Sequence, residues 1–280
     1  RRPIVVVERH LDNPNLRAAQ EIYGARIVHG DLTSATLLDS LRLERAHRVA
    51  LFTGDDHVNL DSASRIAALA PHLADRTVAH VADLRFLRVI ESRKILSRAY
   101  KFNSYRTAAD HLVETLLVPH FQSTDNRDTV VLAGFGRFGQ TVLHELQNAA
   151  LGQFGKVIIV DMNADSLVNV FAEQIGFDAS YVYEHMNEDI HEPRTWHHVD
   201  SIANTPREEL VFVLGGGVDS LNIRTALWLA DKMSGAMVVA RCFRSSDFTA
   251  DISREGQFHI VSTAELLLER FDQEGFFDDI

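Results

Sequence analysis

Thr129-Val130-Val131-Leu132-Ala133-Gly134-Phe135-Gly136-Arg137-Phe138-Gly139 is the stretch of sequence that decides the fold. An apolar run of β-type residues leads into three glycines with Gly-x-Gly-x-x-Gly spacing, and a helical pattern follows. A second apolar run, 156–160, then ends at Asp161. Strand, glycine turn, helix, strand and acid in this order are typical of a βαβ unit that binds a dinucleotide.

Each residue type in this motif has a physical role in holding phosphate. Gly134 permits a tight turn, Gly136 lets the backbone approach a pyrophosphate, and Gly139 lets the helix pack closely on the strand. The free N–H groups at the helix start, together with the positive end of the helix dipole, favour phosphate.

The acid at the end of the second strand indicates which nucleotides fit. Asp161 follows Gly139 by 22 residues, close to the spacing of about 20 for an acid that accepts hydrogen bonds from ribose. This carboxylate favours NAD(H) or an adenine nucleotide over NADP, because a 2′-phosphate would meet its charge. The neighbouring Met162 supplies no compensating cation.

Composition is that of a soluble globular protein with room for two domains. The chain has 280 residues, of which 46% are hydrophobic and 24% charged. No apolar run approaches the roughly 20 residues of a membrane span, so we expect no direct membrane insertion. The single cysteine, Cys242, excludes an internal disulfide and fits a reducing compartment.

Charge is distributed unevenly along the chain. Residues 1–128 carry 18 basic and 16 acidic side chains, whereas residues 129–280 carry 10 basic and 23 acidic ones. A strongly acidic half argues against a broad surface for nucleic acid.

The two halves of the sequence repeat one pattern. In the second half strands alternate with helices, which predicts a parallel sheet with helices on both faces. The first half has the same order but begins one strand late. The fold class is therefore α/β, with two tandem Rossmann-like doubly wound parallel sheets, the first lacking its opening strand and glycine loop. The matched segments are 4–8 with 157–161, 49–54 with 212–217, and 77–81 with 237–241.

Glu8 stands where the ribose acid of the first copy belongs, but no phosphate loop precedes it. A sheet without its central first strand would expose unpaired edges, so we expect the chain to be a piece of a longer one. A polar, turn-rich segment at 122–128 marks the boundary between the copies. We predict a first domain over residues 1–125, including its trailing helices, and a second domain over residues 126–280.

Three segments resemble the regulator of K⁺ conductance (RCK) family, also called TrkA-N or KTN domains. The first runs from Val130 to Asp161 and contains the glycine motif. The second is 26–41 with Gly30-Asp31-Leu32-Thr33, and the third is 46–68 with Thr53-Gly54-Asp55-Asp56 and Asn59. The resemblance covers most of both halves, and it implies tandem RCK domains of a potassium channel or transporter.

The resemblance implies a ligand-sensing regulatory module and no enzyme. Such a module lies in the cytoplasm at the inner face of the cell membrane. It forms homo-oligomers, from a dimer to a gating ring, under a pore that belongs to the same chain or to a separate subunit. Binding of NAD(H) or of an adenine nucleotide (ATP, ADP or AMP) then controls gating.

Carried over to this sequence, the resemblance names cofactor-binding residues in both copies. In the first copy Glu8 would be the ribose acid and Asp31 a pocket residue. The residues of the second copy are Gly134, Phe135, Gly136, Arg137, Phe138, Gly139, Asp161 and Met162.

Two features depart from the family pattern. The second copy has Glu188-Asp189 where the first has Gly30-Asp31, so the pocket walls differ. No C-terminal RCK subdomain pattern follows either copy, which favours tandem domains attached to a channel.

Three alternatives remain open from the residues. The acidic cluster Glu184, Glu188, Asp189 and Glu192 is either a solvated loop or a site for a divalent cation. The glycine motif also suits an NAD-dependent oxidoreductase, although no Tyr-x-x-x-Lys pair or Gly-x-Ser-x-Gly elbow occurs, so we predict no catalytic residue. The third alternative is a Rossmann scaffold that binds no ligand.

Overall fold

The chain divides into two units whose boundary differs from the one that the sequence predicts. The computed structural model describes residues 3–254 and 258–275. One unit comprises Arg1–Asn103 with Phe271–Ile280, and the other comprises Ser104–Arg270. The helical segment after residue 103 falls in the second unit because its apolar side chains, such as Leu112 and Leu117, are buried in the core of that unit.

Within its described residues the first unit has five short parallel strands, four α-helices and two 3-10 helices, the latter at Leu43–Arg45 and Pro71–Arg76. Its strands form two separate sheets, one of two strands and one of three. The elements are β1 (Val5–Glu8), α1 (Asn15–Glu21), β2 (Arg26–His29), α2 (Ala35–Ser40), β3 (Val49–Leu51), α3 (Asp56–Leu69), β4 (Thr77–His80), α4 (Leu84–Ser92) and β5 (Tyr100–Phe102).

The second unit contains a single six-stranded sheet. Its elements are α5 (Ser104–Leu112), a π-helical turn (Val113–Leu117), α6 (Val118–Phe121), β6 (Asp128–Ala133), α7 (Arg137–Ala149), β7 (Phe154–Asp161), α8 (Ala164–Gln174), β8 (Val182–Asn187), α9 (Pro193–Ala203), β9 (Leu210–Leu214), α10 (Asp219–Lys232), β10 (Met237–Cys242), α11 (Asp247–Arg254), β11 (His259–Ser262) and α12 (Thr263–Gln273). The last residues of α12, from Phe271 onward, belong to the first unit.

The six strands are all parallel, in the order β11-β10-β9-β6-β7-β8. This is the doubly wound order of dinucleotide-binding folds, with the chain reversing direction across the sheet between β6 and β9. The predicted fold class is confirmed. The carboxyl ends of β6, β7 and β9 meet at the edge where ligands bind in such sheets.

Residues of β6 show why this strand is central. Val130 and Leu132 pack into the core on one face of the sheet, and Val131 and Ala133 pack into the core on the other face. Successive strand residues point to opposite faces, so the part of a strand that is covered on both sides, here 130–133, is apolar at every position.

Register identifies the counterpart of each strand in the other unit. Glu8 pairs with His29 as Asp161 pairs with Asn187, so β1-β2 corresponds to β7-β8. The sheet β3-β4-β5 corresponds in the same way to β9-β10-β11. Among the described residues β6 has no counterpart in the first unit, where β1-β2 and β3-β4-β5 form separate sheets.

One pairing predicted from the sequence is wrong by one residue. Asn59 Nδ2 donates to the His80 carbonyl, and Asn222 Nδ2 donates to the Arg241 carbonyl. His80 therefore corresponds to Arg241, and 77–81 corresponds to 238–242 rather than to 237–241.

Sequence patterns did not indicate two of the strands. β5 has only three residues, too few for a visible alternation. β8 lies at the edge of the sheet with most of its side chains exposed, so its composition is mixed. Because β8 covers Val182–Asn187, Glu184 of the acidic cluster lies in a strand and not in a loop.

No helix within residues 3–254 and 258–275 combines the length and apolar composition that a membrane span requires.

Candidate functional site

Two of the three motif glycines are required by close packing. Gly134 has a φ of +88°, and a Cβ there would lie 2.9 Å from the Gly216 backbone nitrogen. A Cβ on Gly139 would lie 2.3 Å from the Gly134 carbonyl oxygen. Any larger residue would push the loop off the strand ends, so these glycines shape the turn between β6 and α7.

Gly136 differs from the other two because nothing crowds it. A Cβ at this position would meet no heavy atom within 4 Å, and both Gly136 and Arg137 are exposed. Gly136 is the N-cap of α7 and supplies no capping side chain. The first residues of the helix start, Gly136 and Arg137, are thus open to solvent at the end of α7 that favours anions.

The two phenylalanines of the motif point into the protein. Phe135 is fully buried, with its ring centroid 5.5 Å from that of Phe171. Phe138 is also buried and belongs to the same core. Only the backbone of these two predicted site residues is therefore placed to face a ligand.

Asp161 is held against the glycine loop. Its Oδ2 accepts a hydrogen bond of 2.9 Å from the Phe135 backbone N–H, and its Oδ1 accepts one of 2.9 Å from the Asn163 N–H. Each carboxylate oxygen can accept a further hydrogen bond. The structure therefore brings Asp161 together with the loop and leaves it able to accept from hydroxyl groups.

A groove of about 500 Å³ lies at the carboxyl ends of β7 and β8, next in the chain to Asp161. Met162 lines it and is 69% exposed. Its other lining residues are Asn187, Glu188, Asp189, Glu192 and Arg194. These side chains are mostly hydrogen-bond acceptors, which suit the hydroxyl and amino groups of a nucleoside better than they suit phosphate.

The acidic cluster is dispersed among separate partners. Glu184 forms a 2.7 Å ion pair with Lys156, and Glu188 lies 2.7 Å from His198. Asp189 accepts a hydrogen bond from the His191 backbone N–H. In the part of the chain that the structure describes, no three His, Cys, Asp or Glu residues are grouped to hold a metal ion.

In the first unit the corresponding acids are held by local contacts. Glu8 accepts hydrogen bonds from the His10 backbone N–H and from Asn13, and the first of these lowers the pKa of Glu8 most. Asp31 accepts from the Thr33 N–H and hydroxyl and lies 3.4 Å from the Arg9 guanidinium. Arg9 corresponds to Met162, so an ion pair crosses the strand ends where the second unit has its groove.

Arg241 lies close to the glycine motif in the structure, which the sequence patterns did not indicate. It lies near the carboxyl end of β10, and its guanidinium carbon is 5.5 Å from the centroid of the Phe138 ring. A cation near the carboxyl end of a parallel strand is a sequence feature that can indicate a residue near the ligand edge of this fold. In this sequence Arg241 was overlooked because the residues around it are apolar.

Comparison with known proteins shows a domain family and a fold. The TrkA-N domain family model matches residues 1–98. No curated protein matches the chain.

Solved structures share the fold over nearly the whole chain. The structure of GsuK bound to ADP is 18% identical with a TM-score of 0.68, over 99% of this chain and 64% of that one. The GsuK RCK domain is 15% identical with a TM-score of 0.66, over 99% of this chain and 72% of that one. The GsuK channel is 18% identical with a TM-score of 0.65, over 94% of this chain and 60% of that one.

The chain spans 64% of the ADP-bound GsuK chain, so it matches a part of that protein. These structures are of a channel and its RCK domain. At this identity they establish the fold alone. The chain thus has the fold of RCK domains, and its residues 1–98 are similar to the TrkA-N domain family.

Proposed function

We propose that the chain is a nucleotide-sensing regulatory module of a potassium channel or transporter. It works in the cytoplasm, at the inner face of the membrane, as a homo-oligomer associated with a pore. The observation that carries this proposal is the carboxylate of Asp161, fixed to the Phe135 N–H beside the open start of α7. The RCK fold and the ADP bound to GsuK, a protein of that fold, support it.

The residues present fit a nucleotide in one orientation. The phosphates lie at Gly136 and Arg137, where helix N–H groups and a cation are exposed. The ribose hydroxyls donate to Asp161. The nucleoside then extends past Met162 along the acceptor-rich groove. The exposed helix start and Arg137 thus match the phosphates, and the acceptor-rich groove matches the adenosine, of NAD(H) or of an adenine nucleotide.

We place this binding in the second unit. Glu8 and Asp31 hold corresponding positions in the first unit, but the described residues there include no glycine loop.

Regulation follows if the nucleotide binds one arrangement of the oligomer more tightly than another, because a ligand shifts an equilibrium only by its differential affinity.

Calorimetry with ADP and with NADH tests the site. Asp161→Ala should weaken binding of the nucleotide that binds at least tenfold, about 1.4 kcal/mol. Glu173→Ala removes an exposed acid from α8 and serves as the matched control. Unchanged affinity in Asp161→Ala would place the ligand elsewhere, and a wild-type chain that binds neither nucleotide would favour the scaffold alternative.

The regulatory half of the proposal has its own measurement. Potassium flux through the transport protein that carries this module should respond to nucleotide. That response should be lost in Asp161→Ala and kept in Glu173→Ala. If the chain binds nucleotide but the potassium flux does not respond to it, the regulatory role is refuted.

A further inference from the structure

Arg241 lies beside the glycine loop although its strand is two positions away from β6 in the sheet. Its Nη2 donates a 3.1 Å hydrogen bond to the Gly216 carbonyl, in the turn after β9. Its guanidinium is next to the ring of Phe138, a residue of the Gly-x-Gly-x-x-Gly motif. The side chain is thus held over the end of β9, on the side of the loop opposite to Asp161.

The surroundings of Arg241 leave hydrogen-bonding groups unused. Its Nε is buried and has no hydrogen-bond partner among the described residues. Asn222, which is 0% exposed, donates from Nδ2 to the carbonyls of Gly216 and Arg241, while its Oδ1 is likewise unpaired in the described structure. A buried N–H of a cation without an acceptor is costly, and an anionic oxygen is its strongest partner.

In the first unit the residues that correspond to Asn222 and Gly216 hydrogen-bond to each other. Oδ1 of Asn59, the counterpart of Asn222, accepts from the Thr53 backbone N–H at 3.0 Å and from the Thr53 hydroxyl at 2.8 Å. The counterpart of Thr53 is Gly216, and the counterpart of His80 is Arg241. The second unit thus has an arginine and a glycine where the first has a histidine and a threonine, and only the threonine can hydrogen-bond to the buried asparagine through a side chain.

We propose that Arg241 recognises the terminal phosphate of a nucleoside diphosphate, so that the second unit prefers ADP to NAD(H). This inference rests on the proposed function, with the α-phosphate on Gly136 and Arg137. A guanidinium binds a free terminal phosphate through charge-assisted, often bidentate hydrogen bonds. In NAD(H) the second phosphate is esterified to a further nucleoside, so it carries less charge and presents fewer oxygens to the guanidinium.

Calorimetry on the 280-residue chain with ADP, AMP and NADH tests this role. Arg241→Gln should weaken ADP binding at least tenfold while the affinities for AMP and NADH change less than threefold. Arg241→Lys, which keeps the charge without the planar fork, should weaken ADP binding about three- to tenfold. Arg224→Gln, at an exposed position of α10, controls for the loss of a positive charge and should leave all three affinities unchanged.

The ratio of ADP to AMP affinity separates recognition from a structural role, because a distorted loop would weaken both ligands equally. Equal losses, or an unchanged ADP affinity, would overturn the inference. Tighter binding of NADH than of ADP by the wild-type chain would overturn it and leave the proposed function standing, whereas binding of no nucleotide would overturn both. If melting curves show that Arg241→Gln is unfolded, Arg241→Lys decides by the same ratio.

Discussion

Replacing Gly139 with alanine should destabilise the second unit without touching the exposed surface of the glycine loop. The new Cβ would lie 2.3 Å from the Gly134 carbonyl oxygen, a backbone atom that cannot rotate away. Overpacking of this kind costs about 1–3 kcal/mol, and the better helix propensity of alanine recovers up to about 1 kcal/mol. We expect a net loss of about 1–2 kcal/mol, or about 2–8 °C in Tm for a unit of this size.

Gly136→Ala is the matched variant in the same loop. Its Cβ would meet no heavy atom within 4 Å, and φ is −69°, so a change in stability of less than about 1 kcal/mol is expected. The methyl group would stand where phosphate approaches the backbone, so ADP binding should fall at least tenfold. The two variants thus separate the packing role expected of Gly139 from the ligand role proposed for Gly136.

Urea denaturation and calorimetry with ADP measure the two effects separately. Both variants should be compared with wild type in the same buffer and at the same salt concentration. A Gly139→Ala chain as stable as wild type would show that the loop can shift freely and would refute the packing argument. A Gly136→Ala chain with wild-type affinity would show that phosphate does not approach the loop there.

Three further predictions concern the cores and the interior charges. Burial, with the Glu209 charge adding to it, raises the pKa of Asp128 to about 6 from 3.8. Ionisation of Asp128 therefore lowers the stability of the folded chain, an effect that is absent below about pH 4 and complete above about pH 6. Asp128→Asn should be more stable than wild type by about 2 kcal/mol at pH 7.5 and equal to it at pH 4. Urea melts that give the same difference at both pH values would contradict the assignment. Asn59→Ala should cost about 2 kcal/mol, because Asn59 is fully buried and its loss leaves the Thr53 N–H and the His80 carbonyl without their shared partner. A loss under about 0.5 kcal/mol, the size typical of a surface substitution, would show that these groups find other partners. Phe271→Ala should destabilise the first unit by about 3 kcal/mol, since this buried ring packs edge-on against Phe102 with a centroid distance of 4.9 Å. Thermal melts of the variant that match wild type would show that this packing adds no stability.

The sequence carried most of the fold because strongly apolar strands leave a clear local signal. β6 and β9 are buried at every residue, so their composition is uniform and visible. β8 was not visible because an exposed edge strand carries mixed residues, and β5 was too short. The boundary between the units was misplaced to 125/126 because helical periodicity shows that α5 is amphipathic but not which sheet its apolar face covers.

Residue order alone determined the tandem α/β repeat, the glycine turn and the acid that follows β7, since these depend on short-range spacing along the chain. Only the tertiary structure decided which groups meet at the strand ends: that Asp161 binds the Phe135 N–H, that both motif phenylalanines turn inward, and that Arg241 reaches the loop from β10. The reason is topological. A parallel sheet brings together the ends of strands that are about a hundred residues apart, and no local pattern records which side chains will share that edge.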